Sequence, residues 1–429
     1  MPGRHLISLC ALLVFAAMAV GQQTETTVAT VDDLVHAGIA NNKELSAVRE
    51  RIAEAKGLVR QAGVRPSPTL GLSGATGTLL GTTGDEEYGG DYSQPVELFG
   101  KRGKRIAVKQ FSVAIAEAEL QERSAQLAFE IRAVYAQLRA ERNKLKLLDD
   151  LADLNQEALR LTEARVKEGD VARLEISLLK VEISRSQVSR ISAQGRLSSD
   201  ELEIRRLTGI GDTVPIPDAG GVSLTPVSLS TLKQRALDSR ADLKAAYLLE
   251  AQSSAETELT KAETKPDLTL SAGYVHRNSQ FDGLYGVTTS GTLAPIQDRE
   301  NILTFGVNVP LRTSRSGRGN IETAAARTSE ARFHREYLER TIPREVEAAY
   351  QRWSAANASL EMLRTGVIDP STTNLSVIRE AYKLGQLRLL DVLNEQRRLV
   401  DTELAYIDTQ ADAARTWAEV ERAVGGNLP

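Results

Sequence analysis

Two periods run along the chain. In "NILTFGVNVPL" (301–311), Leu303, Phe305, Val307, Val309 and Leu311 alternate with Thr304, Gly306, Asn308 and Pro310. "PDLTLSAGY" (266–274) sets Leu268, Leu270, Ala272 and Tyr274 against Thr269, Ser271 and Gly273, and "TLGLS" (69–73) repeats the pattern weakly. A two-residue period with one apolar and one small polar face predicts strands, and runs of about ten residues suit an outer-membrane barrel wall. A half-buried strand of a soluble sheet has the same period. Such a sheet needs a large partner layer, and the rest of the chain offers polar-rich helices instead.

The second period is helical. From Arg102 to Lys167 the chain has no Pro or Gly after Gly103. That predicts one helix on the order of 100 Å long, far more than a globular domain requires. Further on, Val346, Tyr350, Trp353, Leu360 and Val367 share a heptad seam with Asn357 as its polar member, as in a coiled coil. Pro343 and Pro370 predict kinks in this second long helix.

The chain repeats itself. "NNKELSAVRERIAEAKGLVRQAGVRPSPTLGLS" (41–73) aligns with "SRADLKAAYLLEAQSSAETELTKAETKPDLTLS" (239–271) at an offset of 198. Pro95 and Tyr135 match Pro310 and Tyr350 at 215, and Gly169, Leu174, Glu175 and Gly209 match Gly385, Leu390, Asp391 and Gly425 at 216. An ordered series of this kind indicates a tandem duplication. The first copy spans 22–208, with a β-hairpin at 68–98, a long helix at 102–168 and a helix at 171–208. A Pro- and Gly-rich linker at 209–227 leads to the second copy at 228–429, with a hairpin at 266–311, a long helix at 318–384 and a helix at 387–424. The change of offset leaves about seventeen extra residues in the second hairpin, within 276–300. Outer-membrane barrels carry long loops outside, so this segment and 85–90 are expected to be extracellular.

The start of the chain stands apart. Arg4 and His5 precede the apolar run Leu6 to Val20, followed by Gly21. The run is short for a membrane span and predicts a signal peptide over 1–21; an uncleaved anchor is the alternative. The one cysteine, Cys10, lies inside it, so the mature chain is expected to use neither disulfides nor thiolates. Aromatics are 4% of the residues, which favours slender helical layers over one thick core. The formal charge of −4 becomes −5 once Arg4 is removed, which argues against a polyanion binder, nucleic acid included.

"SQPVELFGKRGKRIAV" (93–108), "YVHRN" after the 266–274 strand, and "AYKLGQLRLLDVLNEQRRLVDTELAYI" (381–407) resemble the outer-membrane efflux protein (TolC) family, in the branch serving heavy-metal and cation pumps. The resemblance covers about residues 28 to 425. It implies an α+β membrane protein: a homotrimer whose chains each give four strands to a twelve-stranded outer-membrane β-barrel. The barrel would continue into a long periplasmic α-helical barrel of coiled-coil helices. The implied function is the exit duct of a tripartite pump, docked to a periplasmic adaptor and an inner-membrane transporter of the RND type. Physics agrees on assembly, because four strands cannot close a barrel and open edges are not tolerated in lipid.

The same resemblance assigns sites. Gly169, Val171, Gly385 and Leu387 match the tip that meets the adaptor. Glu175, Tyr382, Asp391 and Asn394 fall at the pore entrance, where Glu175 and Asp391 would form carboxylate rings favouring cations and Tyr382 would help hold the entrance shut. Ordinary solvated helix acids are the alternative for the two carboxylates. Leu387 and Asn394 stand where some members carry Arg and Asp. Lys101, Arg102, Lys104 and Arg105, with Arg312, Arg315 and Arg318 at the equivalent joint, sit where strand passes to helix. Cations at a helix start oppose its dipole, so outer-membrane lipid phosphates are the expected partner, against plain solubility.

An enzyme is disfavoured. Beyond the leader the histidines are His36, His276 and His334, with no ligand spacing, no G-x-S-x-G and no dinucleotide fingerprint. No catalytic residue, metal site or cofactor is expected. A secreted coiled-coil scaffold without transport activity is the remaining alternative, and the strand alternation at 303–311 counts against it. The cargo, heavy metal or cation or drug, is not legible in the sequence.

Overall fold

The computed structural model describes residues 30–77, 85–218, 227–311, 317–384 and 386–426. The leader 1–21 with Cys10, and Arg312, Arg315 and Gly385, lie outside the described residues.

Each half opens with the same corner. Helices α1 (Val31–Asn41) and α2 (Lys43–Ala62) meet at Asn42, whose extended backbone ends one helix and whose side chain caps the next by accepting from Leu45 N–H. In the second half, α5 (Leu229–Ser239) and α6 (Ala241–Glu263) meet at Arg240 with nearly the same dihedrals. Thr30 and Ser228 cap α1 and α5 through the N–H groups of Asp33 and Thr231.

Each α-helical pair feeds a hairpin: β1 (Thr69–Thr76) with β2 (Glu86–Val96), and β3 (Leu268–Val287) with β4 (Leu293–Asn308). All four form one antiparallel sheet in the order β1-β2-β3-β4, so the β2–β3 pairing joins the two halves. Cross-strand partners sort by face over much of the sheet, with Val275 opposite Ile302 and Gln94 opposite Leu270 as exceptions. Leu70 opposes Tyr92, Leu270 opposes Val307, Ala272 opposes Phe305, and Tyr274 opposes Leu303. One step along, Ser73 opposes Gly89, Ser271 opposes Gly306, and Gly273 opposes Thr304. The apolar face is bare: Leu72 is 83% exposed and Phe305 81%.

The extra residues of the second hairpin do not form a long loop. β3 and β4 continue pairing through Gln280 and Gln297, shift register, and close at a short turn over 288–292. Continued backbone pairing satisfies amides that an open loop would leave to water, so the excess lengthens a ribbon.

From the sheet descend α3 (Lys101–Glu168), returning as α4 (Arg173–Thr208), and α7 (Arg318–Leu363), continuing as α8 (Asp369–Lys383) and returning as α9 (Leu389–Val424). α3 is unbroken. Its counterpart runs through Pro343 without an assigned break and widens into a π turn at Arg364–Ile368. Pro370 has no N–H to offer the carbonyl of Gly366, and the wider turn accommodates that loss just ahead of it.

The buried seam of α7 also differs from the expected one. Ile342, Val346, Ala349, Trp353 and Ala356 are buried, whereas Asn357 is exposed and Tyr350, Leu360 and Val367 are half-buried. Spacings of four and three are kept, but the alanines let α7 approach its neighbours more closely than the larger residues one step on would allow. Two equivalent cores form where short helices meet long ones. Leu34, Leu45, Ile131, Leu138 and Ile204 build the first; Leu232, Leu243, Val346, Trp353 and Val420 build the second. Among the described residues, no helix is long and apolar enough to cross a membrane.

Candidate functional site: the helical tip and the strand–helix joint

The tip is built from glycine-ended helices. Gly169 has φ 83°, Gly169 N–H donates to Val166 O at 3.2 Å, and Asp170 N–H donates to Arg165 O at 3.0 Å. Both bonds satisfy carbonyls that the end of α3 would leave open, in a Schellman closure. The other tip repeats half of it, with Gln386 N–H donating to Ala381 O at 2.9 Å. Gly169 and Leu387 are exposed and Val171 is half-buried.

Two of the four expected entrance residues come together. The Tyr382 hydroxyl donates to Glu175 Oε2 at 3.4 Å, joining α8 to the first turn of α4. The Arg165 guanidinium lies 5.4 Å over the Tyr382 ring. Burial, with the Glu175 charge behind it, pushes the Tyr382 phenol above its usual value, so it stays a donor. Asp391 is elsewhere engaged: its Oδ2 accepts from Arg388 N–H at 3.1 Å and caps its own helix. Asp391 and Asn394 are both exposed on the first turns of α9.

Above the tip, α3, α4 and α9 alternate apolar and polar layers. Leu179, Leu389 and Leu393 form an apolar layer against Tyr382. Next come Gln396, donating to Asn155 Oδ1 at 2.9 Å, and Arg397, donating to Glu182 Oε2 at 2.8 and 2.6 Å. A cavity of about 80 Å³ opens beside Glu182, Ser186, Gln396 and Arg397. Higher still, Glu141 is fully buried between Lys144 at 2.9 Å and Arg196 at 3.0 Å, and Lys144 also reaches Asp408 at 2.5 Å. Burial works against the Lys144 charge, but the bonds to Asp408 and Glu141 outweigh it and raise its pKa. None of these polar layers stood out in the sequence. The available signal was a polar residue, such as Asn155 or Gln396, at a position where helical spacing demands an apolar one.

The basic joint is a set of intramolecular ties. Phe99 (φ 59°) and Gly100 (φ 68°) are both left-handed, which turns the chain from β2 into α3. Lys101 is 4% exposed and holds Asp267 Oδ2 at 2.8 Å and Lys265 O at 2.7 Å. Arg102 donates to Gly63 O at 2.6 Å, Lys104 lies 3.6 Å from Glu258, and Arg105 pairs with Glu97. The lipid-phosphate expectation is therefore corrected for Lys101, which is buried. The dipole argument is answered within the chain, because α2 and α6 run antiparallel to α3. Gly63 and Lys265 lie at their carboxyl ends, where cations are favoured. Arg318 is exposed.

Comparison with known proteins places this architecture. The outer membrane efflux protein family model matches residues 34–210 and 232–426, both halves of the duplication. The chain belongs to that family. It is 21% identical over 409 residues to the toluene efflux pump outer membrane protein TtgI of Pseudomonas putida, covering 92% of this chain and 84% of that one. It is 22% identical to the pyoverdine export outer membrane protein OpmQ from another strain of Pseudomonas putida, over 92% of this chain and 86% of the relative. Among solved structures, CusC, studied for transmembrane channel formation, superposes with a TM-score of 0.75 at 18% identity over 92% of both chains. The fold is that of TolC-like channels, mostly helical with one sheet.

Proposed function

We propose that this protein is the outer-membrane exit duct of a tripartite efflux pump, working as a homotrimer. The observation that carries the reading is the sheet: one face is mostly apolar and bare, the other is mostly small and polar, and among the described residues β1 and β4 leave both edges open. A lipid-facing wall requires that chemistry, and in lipid the edges must be closed by strands from further copies. Three copies give twelve strands, and β4 of each copy would pair with β1 of the next. The helices then extend the duct on the order of 100 Å into the periplasm.

In this reading the tip around Gly169, Val171, Gly385 and Leu387 meets a periplasmic adaptor, and an inner-membrane transporter of the RND type loads the duct. Glu175 and Asp391 ring the entrance, and the signal peptide is removed on export. The named relatives export toluene and pyoverdine, cargoes with little chemistry in common. That favours a duct that passes what its transporter loads, heavy metal, cation or drug. The test is to extract the protein and reconstitute it. A detergent-dependent trimer that conducts ions across a planar bilayer supports the reading. A monodisperse, non-conducting monomer that stays soluble without detergent overturns it in favour of a coiled-coil scaffold.

A further inference from the structure

We propose that each chain carries a small-molecule groove on the inner face of the duct wall, where the first turns of α2 and α6 flank α3, and that it holds an organic cation with an apolar body. Its place on the conduction path rests on the duct reading; its walls do not, because all of them belong to one chain. The groove measures about 820 Å³, within the roughly 300–1,000 Å³ of small-molecule sites. Helices α2, α3, α6 and α7 all line it, and they pack in that order, α2 on α3, α3 on α6 and α6 on α7. A hollow shared by four consecutive helices of a curved wall lies on the concave side, which in a closed ring is the lumen. Helix α1 marks the other side. It packs on Ile131 of α3, nine positions from Glu122 and so about two and a half turns away, on the opposite face.

The duplication supplies two matching walls. At the offset of 198, Glu44, Ala47 and Val48 of α2 correspond to Asp242, Ala245 and Ala246 of α6, and all six line the groove on either side of α3. Each wall is an acid in the first turn of its helix followed by two short apolar side chains. Between the walls, α3 contributes Ile115 and Ala118 to the floor and Glu122 one turn further on. The second copy does not repeat this centre: at the offset of 215, Phe333 and Tyr337 stand in place of Ala118 and Glu122. The small residue and the acid belong to α3 alone, which gives one such site per chain.

The charge at the centre is unmet. Glu44 holds Arg123 at 2.6 Å, and Asp242 holds Arg240 at 2.5 Å. Glu122 is half-buried and, among the described residues, has neither a hydrogen bond nor an ion pair of its own. The charges that bear on it from a distance are Asp242 and Glu345, which oppose its ionisation, and Arg240 and Arg422, which favour it. Burial first, and Asp242 second, push its carboxyl above the ordinary value. Glu119 is the fourth carboxylate lining the groove, against Arg51, Arg123 and His334, so the balance stays negative even with the imidazole charged. A half-buried carboxylate beside an apolar floor is best relieved by a cation that brings its own apolar body. A hydrated metal ion would leave the floor uncovered, and an anion would add a like charge beside Glu122.

The probe is ethidium, a planar organic cation whose fluorescence rises when it leaves water, with anilinonaphthalene sulfonate as an aromatic anion for comparison. The full chain is held in nanodiscs of zwitterionic phosphatidylcholine, so that neither detergent nor anionic lipid competes. Ethidium should bind at one site per chain, about tenfold more tightly than the sulfonate. Glu122→Gln, nearly isosteric, should weaken ethidium about tenfold, whereas Glu117→Gln, an exposed acid outside the groove, should change it by less than about twofold. Ala47→Trp, at an exposed position, should fill the groove and abolish binding with assembly unchanged by light scattering. Equal binding of the two probes, unchanged ethidium affinity in Glu122→Gln, or retained binding in Ala47→Trp each overturns the cation site. Ethidium should also lower the conductance of reconstituted channels, and Glu122→Gln should need about tenfold more of it. Binding without block overturns the inner-face placement. A channel that conducts but binds no ethidium overturns the groove and leaves the duct reading standing; a chain that binds ethidium but never conducts does the reverse.

Discussion

The hydroxyl of Tyr382 on α8 lies 3.4 Å from a carboxylate oxygen of Glu175 on α4, which ties the second half of the chain to the first at the tip. Burial and the Glu175 charge raise the Tyr382 phenol from its ordinary value of 10.0. A group whose folded pKa is raised contributes stability that is fully present below the unfolded pKa and lost as pH rises through the folded one. The tie should thus be intact throughout the neutral range and fail only above about pH 10. Tyr382→Phe should raise resting conductance of reconstituted channels several-fold, equally at pH 6 and pH 8. A conductance gain that appears at only one of those pH values would show that another group holds the tip.

Glu182 is 6% exposed, and its carboxylate depends on Arg397. Removing one partner strands a buried charge, whereas replacing both by neutral residues does not. Arg397→Ala should cost about 2 kcal/mol in denaturant unfolding, at the low side of buried pairs because the Arg397 side chain is 37% exposed. Glu182→Gln with Arg397→Gln should recover most of that. If the double variant is no better than the single, packing by the arginine stem matters more than the charge.

Alternation and breaker-free length were legible because each is a local rule. The strands around Leu270 and Phe305 follow from a two-residue period, and α3 from sixty-odd positions without a helix breaker. The seam of α7 is half legible: Val346 and Trp353 are buried as expected, but the positions between and after them fall at Ala349 and Ala356 rather than at the larger Tyr350 and the polar Asn357 one step on. Close helix approach, which favours alanine, is a tertiary property. At the joint, the burial of Lys101 is hidden from the sequence for a similar reason. Four cations clustered around Gly103 look like a surface patch until α2 and α6 present their carboxyl ends to them, through contacts 39 and 164 residues apart in the chain. At the tip, the Tyr382–Glu175 tie was approachable through family resemblance, whereas Arg165 over the ring was not.

Two glycines with one role should respond differently to the same change. Gly100 (φ 68°) and Gly317 (φ 99°) each precede a long helix. A Cβ on Gly100 would have nothing within 4 Å, but on Gly317 it would meet Thr264 Cγ2 at 2.5 Å. Gly100→Ala should cost only backbone strain, about 1–2 kcal/mol. Gly317→Ala adds a clash with a β-branched side chain at the end of α6, and should lower the thermal midpoint further. Thr264→Ser in the Gly317→Ala background should recover that added loss and leave the strain.

The last expectation concerns the ribbon that β3 and β4 form beyond β2. Past the Glu86–Asn278 pair neither strand has a further neighbour among the described residues, and the ribbon ends at the turn over 288–292. Isolated two-stranded ribbons are marginal in water, and protease attack concentrates at exposed tips. If this end of the sheet faces outside, a protease site inserted after Ser290 should be cut on intact cells. The same site inserted after Asn301, inside the four-stranded part, should resist. Cutting after Ser290 only in permeabilised cells would reverse the orientation and put the helices outside, which is incompatible with a duct fed from the periplasm. Cutting at both sites in intact cells would mean that the wall itself is not embedded. The paired backbone makes the test sharp: an amide in a ladder must open before a protease can bind it, and one in a five-residue turn need not.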